Sequence, residues 1–251
     1  MAKIFLVGAG PGDPELLTLR AARLLGQADI VLHDALVGEG VLALANPRAE
    51  LVDVGKRFAG KAMAQAEICR RLVDAARTGK LVVRLKGGDP MIFGRATEEM
   101  EALGQAGFEV EVVPGVTAAC AAAAQAKLSL TRRRVARSLH FLTGHGAEGG
   151  LPAHDWGALV RAGGTIAVYM GGHTLAGLAA HLIEAGMAPG LPALAVENAG
   201  RPAAREIAGT LATLPRRLRE AKPVGPVLLL LGEALAPETV EAATREALMT
   251  E

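Results

Sequence analysis

The sequence predicts an α/β protein of two domains, and three observations carry that prediction. Short apolar runs typical of strands alternate with amphipathic stretches typical of helices in the first half of the chain. Glycine-rich turns follow several of these strands, as expected for a mostly parallel sheet covered by helices. In the second half fewer helices separate the strands, which favours some antiparallel pairing. We therefore expect a mostly parallel sheet in residues 1–130 and a mixed sheet in residues 131–251.

The elements of the first domain follow in order. The predicted strands are KIFLVG, ADIVLHD, AELVDVG, KLVVRLKGGD and FEVEVVPG. The predicted helices between them are Pro14–Leu25, Ala64–Arg77 and Arg95–Gln105. A basic stretch, AKLSLTRRRVARSLHF, interrupts this alternation, and we place the domain boundary near Thr131.

The second domain begins with a strand at the end of that basic stretch. Its further predicted strands are TIAVYMG, PALAVENAG, AREIAGTL and PVLLLLGEA. Helices are expected near Leu175–Ala185 and Leu211–Glu220, because both stretches are long enough and lie between predicted strands.

Composition excludes several classes of protein. Of the 251 residues, 51% are hydrophobic but only 3% are aromatic, so the core must consist mainly of Ala, Val and Leu. The 27 basic and 26 acidic residues nearly balance, so we expect neither a nucleic-acid nor a membrane partner. No apolar run approaches the roughly 18–20 residues that span a bilayer, and MAKIFLVGAG does not resemble a secretory signal. Two cysteines are too few for a disulfide framework, so we expect a cytoplasmic protein with Cys120 buried as a small apolar residue.

The first glycine-rich loop raises the alternative of a nicotinamide oxidoreductase. Gly8, Gly10 and Gly12 follow the first strand, and a dinucleotide-binding fold has its ribose-binding acid about where Asp34 stands, 22 residues after Gly12. The spacing here is Gly-x-Gly-x-Gly, however, whereas the dinucleotide fingerprint has two residues between its second and third glycines. The loop therefore suits close approach by a ligand, or simply a tight turn, better than a dinucleotide.

The residues after those glycines argue against a phosphate. Asp13 is a favoured N-cap residue, and Pro14 is a favoured first helical residue. A pyrophosphate at this predicted helix start would meet the carboxylates of Asp13 and Glu15 and few free N–H groups. We therefore expect a ligand that carries no phosphate.

Two further loops follow strands in the same way. In VVRLKGGDPMIFGR, Gly87 and Gly88 precede Asp89, whose carboxylate either accepts hydrogen bonds from a ribose or an amino group or starts an ordinary turn. In VVPGVTAAC, Thr117 is a candidate cap for the following helix, and the alanines of that helix would let a ligand pack against it. Because ligands of open α/β sheets bind at the carboxyl ends of the strands, we expect these loops to form walls of one pocket.

Basic residues also cluster near the predicted strand ends. Solvent exposure explains any one of them, but together they favour a polyanionic substrate, because arginine side chains match carboxylates and phosphates. These residues are Lys56, Arg57, Lys86, Arg95, Arg132, Arg133, Arg134 and Arg137. The six histidines show no metal-binding spacing, so we expect no metal site.

Nearly the whole chain carries a series of motifs in a fixed order. They are VGAGPGDPELLTL, ADIVLHDALV, VGKR, VVRLKGGDPMIFGR, VVPGVTAA, TGH, VYMG and VEN. This series resembles the tetrapyrrole methylase family. The resemblance implies a homodimer of two-domain α/β subunits, an active site in the cleft between the domains, and S-adenosylmethionine as methyl donor, with S-adenosylhomocysteine as product. It also implies methylation of uroporphyrinogen III at C2 and C7 to give precorrin-2, for cobalamin or sirohaem synthesis.

The resemblance further implies roles for individual residues. Asp34 matches the proposed proton acceptor of the family, and Lys56 matches its proposed proton donor. The residues that match cofactor contacts are Pro11, Gly87, Gly88, Asp89, Ile92, Thr117, Ala118, Met170 and Ala199.

The chain departs from the family pattern at three positions. His33 stands where the family often has Tyr. Arg132 stands where the family usually has the His of Thr-His-Arg, and Ala199 stands where it has the Gly of Asn-Gly. Two other tetrapyrrole proteins stay open as alternatives. One is a methylase of later corrin intermediates, which LKGGDP disfavours, and the other is a carrier that binds porphyrinogen without catalysis.

Overall fold

The structure is a computed structural model, and it divides into two compact units. It describes residues 3–55, 57–58, 61–146 and 149–236, with the backbone alone at 57–58 and 61–62. The first unit is Met1–Ala122 with Asn198–Ala204, and the second is Ala123–Glu197 with Arg205–Glu251. The predicted boundary between residues 130 and 131 stays a prediction. The assignment of Asn198–Ala204 to the first unit is a feature that the sequence did not indicate.

The first unit alternates strands and helices. Its elements in chain order are β1 (Lys3–Gly8), α1 (Leu19–Gln27), β2 (Ile30–His33), α2 (Glu39–Leu42), β3 (Glu50–Asp53), β4 (Arg57–Phe58), β5 (Lys61–Ala62), α3 (Gln65–Arg77), β6 (Leu81–Lys86), α4 (Ala96–Gln105), β7 (Val110–Val113) and α5 (Ala118–Gln125), which runs past the division at Ala122.

Five of these strands form one parallel sheet in the order β3-β2-β6-β1-β7. Strand β1 pairs with β6 from Lys3 opposite Leu81 to Gly8 opposite Lys86, so the two strands end together. The loops after β6, β1 and β7 therefore lie at the same edge of the sheet. The predicted mostly parallel sheet is confirmed.

Apolar side chains cover both faces of this sheet, as expected for a parallel sheet. Phe5 and Val7 of β1 belong to one buried cluster, and Ile4 and Leu6 belong to the cluster on the other face. Strand β6 alternates in the same way, but its positions 84 and 86, on the face of Val82, carry the buried charges of an arginine and a lysine.

The predicted start of the first helix, at Pro14, is wrong, because α1 begins at Leu19. Asp13 Oδ1 accepts a hydrogen bond from the N–H of Glu15 at 2.9 Å, but it caps only a single 3₁₀ turn at Pro14–Leu16. Leu17 is extended, and α1 begins afresh behind Thr18, whose hydroxyl oxygen accepts from the N–H of Ala21 at 3.1 Å. Two capping residues in succession split the predicted helix into a turn and a shorter helix.

The second unit contains a five-stranded mixed sheet. Its elements are β8 (Leu139–Thr143), α6 (Trp156–Ala162), β9 (Thr165–Tyr169), α7 (Leu175–Glu184), β10 (Pro192–Glu197), β11 (Arg205–Thr210), α8 (Leu214–Ala221) and β12 (Val227–Leu231). The order is β11-β10-β12-β9-β8. Strands β8 and β9 pair in parallel and the other neighbours in this order pair antiparallel, so the predicted mixed sheet is confirmed. Within the described parts of both units, no helix has the length and apolar character that a membrane span requires.

Candidate cofactor and catalytic site

Three loops at the carboxyl edge of the parallel sheet touch one another through bare backbone. Gly10 donates its N–H to the carbonyl of Gly88 at 3.2 Å, and Gly88 donates back to Gly10 at 2.7 Å. A Cβ atom at Gly8 would lie 2.6 Å from the Cα of Gly115, and one at Gly115 would lie 2.2 Å from the carbonyl oxygen of Gly88. No side chain fits at Gly8 or Gly115 without moving the loops apart. We call Gly8, Gly10, Gly88 and Gly115 the glycine floor.

Gly88 and Gly10 of the glycine floor both have a φ of +67°, which favours glycine. Gly88 differs from the other three members because a Cβ there would meet nothing within 4 Å. The floor is therefore open at this point, and a ligand approaching Gly88 would meet backbone atoms.

Asp89 links the second loop to the third. Its Oδ1 accepts from the N–H of Met91 at 2.8 Å, and its Oδ2 accepts from the N–H of Gly115 at 2.9 Å. The first bond closes an ordinary turn, which is one of the two roles predicted for Asp89 from the sequence. The second holds the loop after β6 against the loop after β7, a connection that nothing in the local sequence indicates.

The segment between β10 and β11 lies on the first loop. Arg201 donates from Nε to the carbonyl of Pro11 at 3.2 Å and from Nη2 to the carbonyl of Leu36 at 2.5 Å. Gly200 has a φ of +68°, and a Cβ there would lie 2.5 Å from the Pro11 ring. Ala199 is buried beside it. Arg201 is a residue that sequence reasoning missed, because its partners are far away along the chain.

The predicted cofactor residues occupy two places. Most belong to the first unit, where the loops after β1, β6 and β7 and the Asn198–Ala204 segment carry them: Pro11, Gly87, Gly88, Asp89, Ile92, Thr117, Ala118 and Ala199. Thr117 is buried, and its carbonyl accepts from the N–H of Cys120 and Ala121 in the first turn of α5.

Met170 belongs to the second unit. It follows β9 with a φ of 57° and remains 51% exposed, an unusual combination for a large apolar residue. It lines an open cavity of about 580 Å³ whose wall also includes His145, His173, Arg219 and Pro226. Contact of Met170 with a cofactor stays a prediction.

Asp34, the predicted proton acceptor, lies one residue beyond the end of β2. Its carboxylate is 30% exposed and lies 2.5 Å from Nη2 of the buried Arg84. Burial disfavours the charge of Arg84, but the carboxylates of Asp34 and Glu99 outweigh this and raise the pKa of Arg84 above its usual value. The arginine therefore stays charged and holds Asp34 in an ion pair.

Glu99 stands behind this ion pair in the first turn of α4. It is fully buried, and its Oε1 lies 3.1 Å from Nη2 of Arg84 and 2.8 Å from Nζ of Lys86. Burial and the neighbouring Arg84 lower the pKa of Lys86 below its usual value, although Glu99 opposes that shift. From the sequence we predicted Lys86 as one of the cations that bind a polyanionic substrate, but in the structure Lys86 is buried against Glu99.

The other basic residues have different surroundings. Arg95 pairs at 2.6 Å with the exposed Glu98, and Arg132 donates from Nη1 to the carbonyl of Ala236 at 3.2 Å. Arg133 and Arg137 are exposed. Lys56, the predicted proton donor, lies outside the described residues, and so does the side chain of Arg57.

Two further expectations concern cysteine and metal. Cys120 is exposed, so its predicted burial is wrong; the alanine-rich α5 turns its neighbours Ala119 and Ala121 inward instead. Among the described residues, no group of three His, Cys, Asp or Glu side chains is arranged to hold a metal ion.

The chain is similar to known proteins over most of its length. The family model for tetrapyrrole (corrin/porphyrin) methylases matches residues 3–215. A uroporphyrinogen-III C-methyltransferase of Synechocystis is 42% identical over 233 residues, 92% of this chain and 89% of that protein. A siroheme synthase of Chromobacterium violaceum is 47% identical over 232 residues, 92% of this chain and 49% of that protein. The chain thus spans about half the length of the siroheme synthases that it matches.

A solved structure is similar over almost its full length. Uroporphyrin-III C-methyl transferase from Thermus thermophilus, complexed with S-adenyl homocysteine, superposes with a TM-score of 0.80 at 43% identity, over 93% of this chain and 98% of that one. With the family match over most of its length, this chain belongs to the tetrapyrrole methylase family.

Proposed function

We propose that this chain is an S-adenosylmethionine-dependent C-methyltransferase. The glycine floor is the observation that supports it most directly, because bare backbone from three loops meets at the ligand-binding edge of a parallel sheet. The particular reaction is methylation of uroporphyrinogen III at C2 and C7 to give precorrin-2. The similarity to the Synechocystis enzyme, which this chain covers over 89% of its length, supports this substrate.

The residues at the floor fit the methyl donor better than a dinucleotide. The N-terminal N–H groups of the first turn already serve Asp13, and α1 begins behind its own cap at Thr18, so little is left for a pyrophosphate. S-adenosylmethionine supplies an electrophilic methyl group on a cationic sulfur and carries no phosphate. The carboxylates of Asp13 and Asp89 are compatible with that cation.

Each predicted cofactor residue has a defined part in this proposal. Gly87, Gly88 and Asp89 present backbone and a fixed turn, and Pro11 contributes the wall that Arg201 holds. Thr117 and Ala118 begin α5 beside the third loop, and Ile92 lies in the turn after Asp89. We propose Ala199 and Met170 as further contacts.

Asp34 is proposed to accept the proton that the methylated pyrrole carbon must lose. Its carboxylate is partly exposed, and the contact with Nη2 of the buried Arg84 holds it in one orientation. A positioned general base contributes about 10²–10⁴-fold to a rate, and holding the reacting atoms in line contributes more. Lys56 is proposed as the proton donor.

The substrate's eight carboxylates require cations at the site. Of the basic residues predicted to bind a polyanion, Arg133 and Arg137 are exposed and are proposed to bind these carboxylates, whereas Lys86 is buried and Arg95 is paired. We also propose, from the family resemblance, that the chain acts as a homodimer in the cytoplasm.

Transfer of label from S-adenosylmethionine to uroporphyrinogen III tests this function. We expect labelled product with uroporphyrinogen III, and label only on later corrin intermediates would assign the chain to another methylase. Calorimetry with S-adenosylhomocysteine and NAD tests the class of cofactor. Tight binding of NAD without binding of S-adenosylhomocysteine would overturn the proposal.

A further inference from the structure

We infer that Glu99 is a positioning residue for Asp34 and that it acts through Arg84; the inference rests on the proposed function. Glu99 lies at the start of α4, and Asp34 follows β2, so the local sequence does not connect them. Arg84 of β6 joins the two carboxylates, because its Nη2 contacts Asp34 at 2.5 Å and Glu99 at 3.1 Å.

The guanidinium of Arg84 is fixed in one orientation. Its Nε lies 3.2 Å from Glu99 Oε1, and its Nη1 donates to the carbonyl of Leu85 at 3.2 Å. All three nitrogens are therefore engaged, and the side chain is only 2% exposed. Two of the three point at Glu99, so this carboxylate decides which way the plane of the guanidinium faces.

Glu99 is itself held rigidly. Its Oε1 also accepts from Lys86 Nζ at 2.8 Å and from Gln65 Nε2 at 3.3 Å. A carboxylate in the first turn of a helix is stabilised by the helix dipole, and complete burial leaves it no water with which to exchange partners. Removing one partner from such a buried cluster leaves charges uncompensated, so the remaining groups must rearrange.

The geometry separates a positioning role from a purely structural one. A structural ion cluster needs only that its charges balance, whereas Asp34 depends on where Nη2 points. Without its charge, the side chain at position 99 accepts hydrogen bonds from Arg84 less strongly. The plane of the guanidinium is then less firmly fixed, and its contact with Asp34 changes direction. A displacement of about 1 Å in such a group costs on the order of 10²-fold in rate.

Glu99→Gln tests the inference, because it keeps the size of the side chain and removes its charge. We expect kcat to fall by about 10²-fold with KM for both substrates unchanged, because a positioning defect affects the transition state rather than binding. Binding of S-adenosylhomocysteine, measured by calorimetry, should stay at the wild-type value and shows that the variant is folded. Glu101→Gln is the matched control, because Glu101 lies exposed on the same helix.

A double-mutant cycle decides whether the effect passes through Asp34. In an Asp34→Asn background, Glu99→Gln should lower the single-turnover rate no further. An additive loss, or a variant with reduced thermal stability and wild-type kcat, would overturn the inference. The crystal structure of Glu99→Gln gives a readout without substrate: an unchanged contact between Arg84 and Asp34 would also overturn it. Failure of the wild-type protein to methylate uroporphyrinogen III would instead count against the proposed function.

Discussion

Asp89 accepts the backbone N–H of Gly115 at 2.9 Å and thereby fastens the loop after β6 to the loop after β7. The same carboxylate accepts from Met91, so one side chain both shapes its own loop and fixes the neighbouring one. The glycine floor depends on this link, because Gly88 and Gly115 can touch only when both loops are held in place.

Asp89→Ala should weaken binding of S-adenosylhomocysteine by about tenfold, since the N–H groups of Met91 and Gly115 lose their common acceptor and a hydrogen bond to a carboxylate contributes roughly 1.5–3 kcal/mol. Calorimetry measures the affinity. Asp155→Ala is the control, because Asp155 caps α6 in the second unit through a similar bond to Ala158 at 2.8 Å. It should cost about 1 kcal/mol of stability and leave the affinity unchanged. Equal affinities for both variants would contradict the role of Asp89.

Gly115→Ala should abolish the glycine floor. The new Cβ would lie 2.2 Å from the carbonyl oxygen of Gly88, so the two loops must separate. We expect binding of S-adenosylhomocysteine to weaken by more than about tenfold, or 1.4 kcal/mol. In contrast, Gly104→Ala in α4 meets nothing within 4 Å and should raise the free energy of unfolding by about 0.5–1 kcal/mol. Wild-type binding by Gly115→Ala would show that close loop contact is unnecessary.

Arg201→Ala should loosen the first loop, because the carbonyls of Pro11 and Leu36 lose their common donor. We expect KM for S-adenosylmethionine to rise about tenfold, a loss of about 1.4 kcal/mol. Arg201→Lys should not restore it fully, since a lysine lacks the planar fork that reaches both carbonyls. Arg216→Ala, which breaks the exposed pair with Glu220, is the control and should have wild-type kinetics. Restoration by lysine would indicate that charge alone matters.

The lowered pKa of Glu197 predicts that the stability of the second unit depends on pH. Its carboxylate is buried and accepts from the N–H of Gly225 and Val224 and from Arg205, and these bonds lower the pKa of Glu197 below its usual 4.5. A lowered pKa means that the stabilisation is complete above about pH 4.5 and is lost as pH falls through the lower, folded-state value.

Glu197→Gln should therefore unfold more easily than wild type at pH 7, by about 2 kcal/mol, the typical contribution of hydrogen bonds to a charged group. The difference should shrink as the pH falls below 4.5. Urea unfolding across this range measures it, with the exposed Glu206→Gln as control. A difference that is independent of pH would rule out the ionised carboxylate as its source.

Local patterns predicted the fold well where they were unambiguous. The run KIFLVG forms β1 over the predicted residues, and α3 begins one residue after its predicted start. The prediction for the first helix was wrong because Asp13 and Thr18 are both N-cap residues, and the sequence does not show which one starts the longer helix.

The site was predicted less completely, for a physical reason. The glycines and Asp89 stand out locally because a turn requires them. Glu99 reaches Arg84 from another element, 15 positions away, and Arg201 reaches Pro11 across 190 positions of the chain. Such partners are fixed by tertiary packing and leave no local signal. For the same reason Lys86, predicted as a cation for the substrate, is instead a buried partner of Glu99.

Mass spectrometry of the product from uroporphyrinogen III and S-adenosylmethionine tests the central claim most directly. We predict a gain of two methyl groups with the wild-type protein and a strongly reduced gain with Asp34→Ala. A substrate that gains no methyl group, from protein that binds S-adenosylhomocysteine normally, would contradict the proposed reaction.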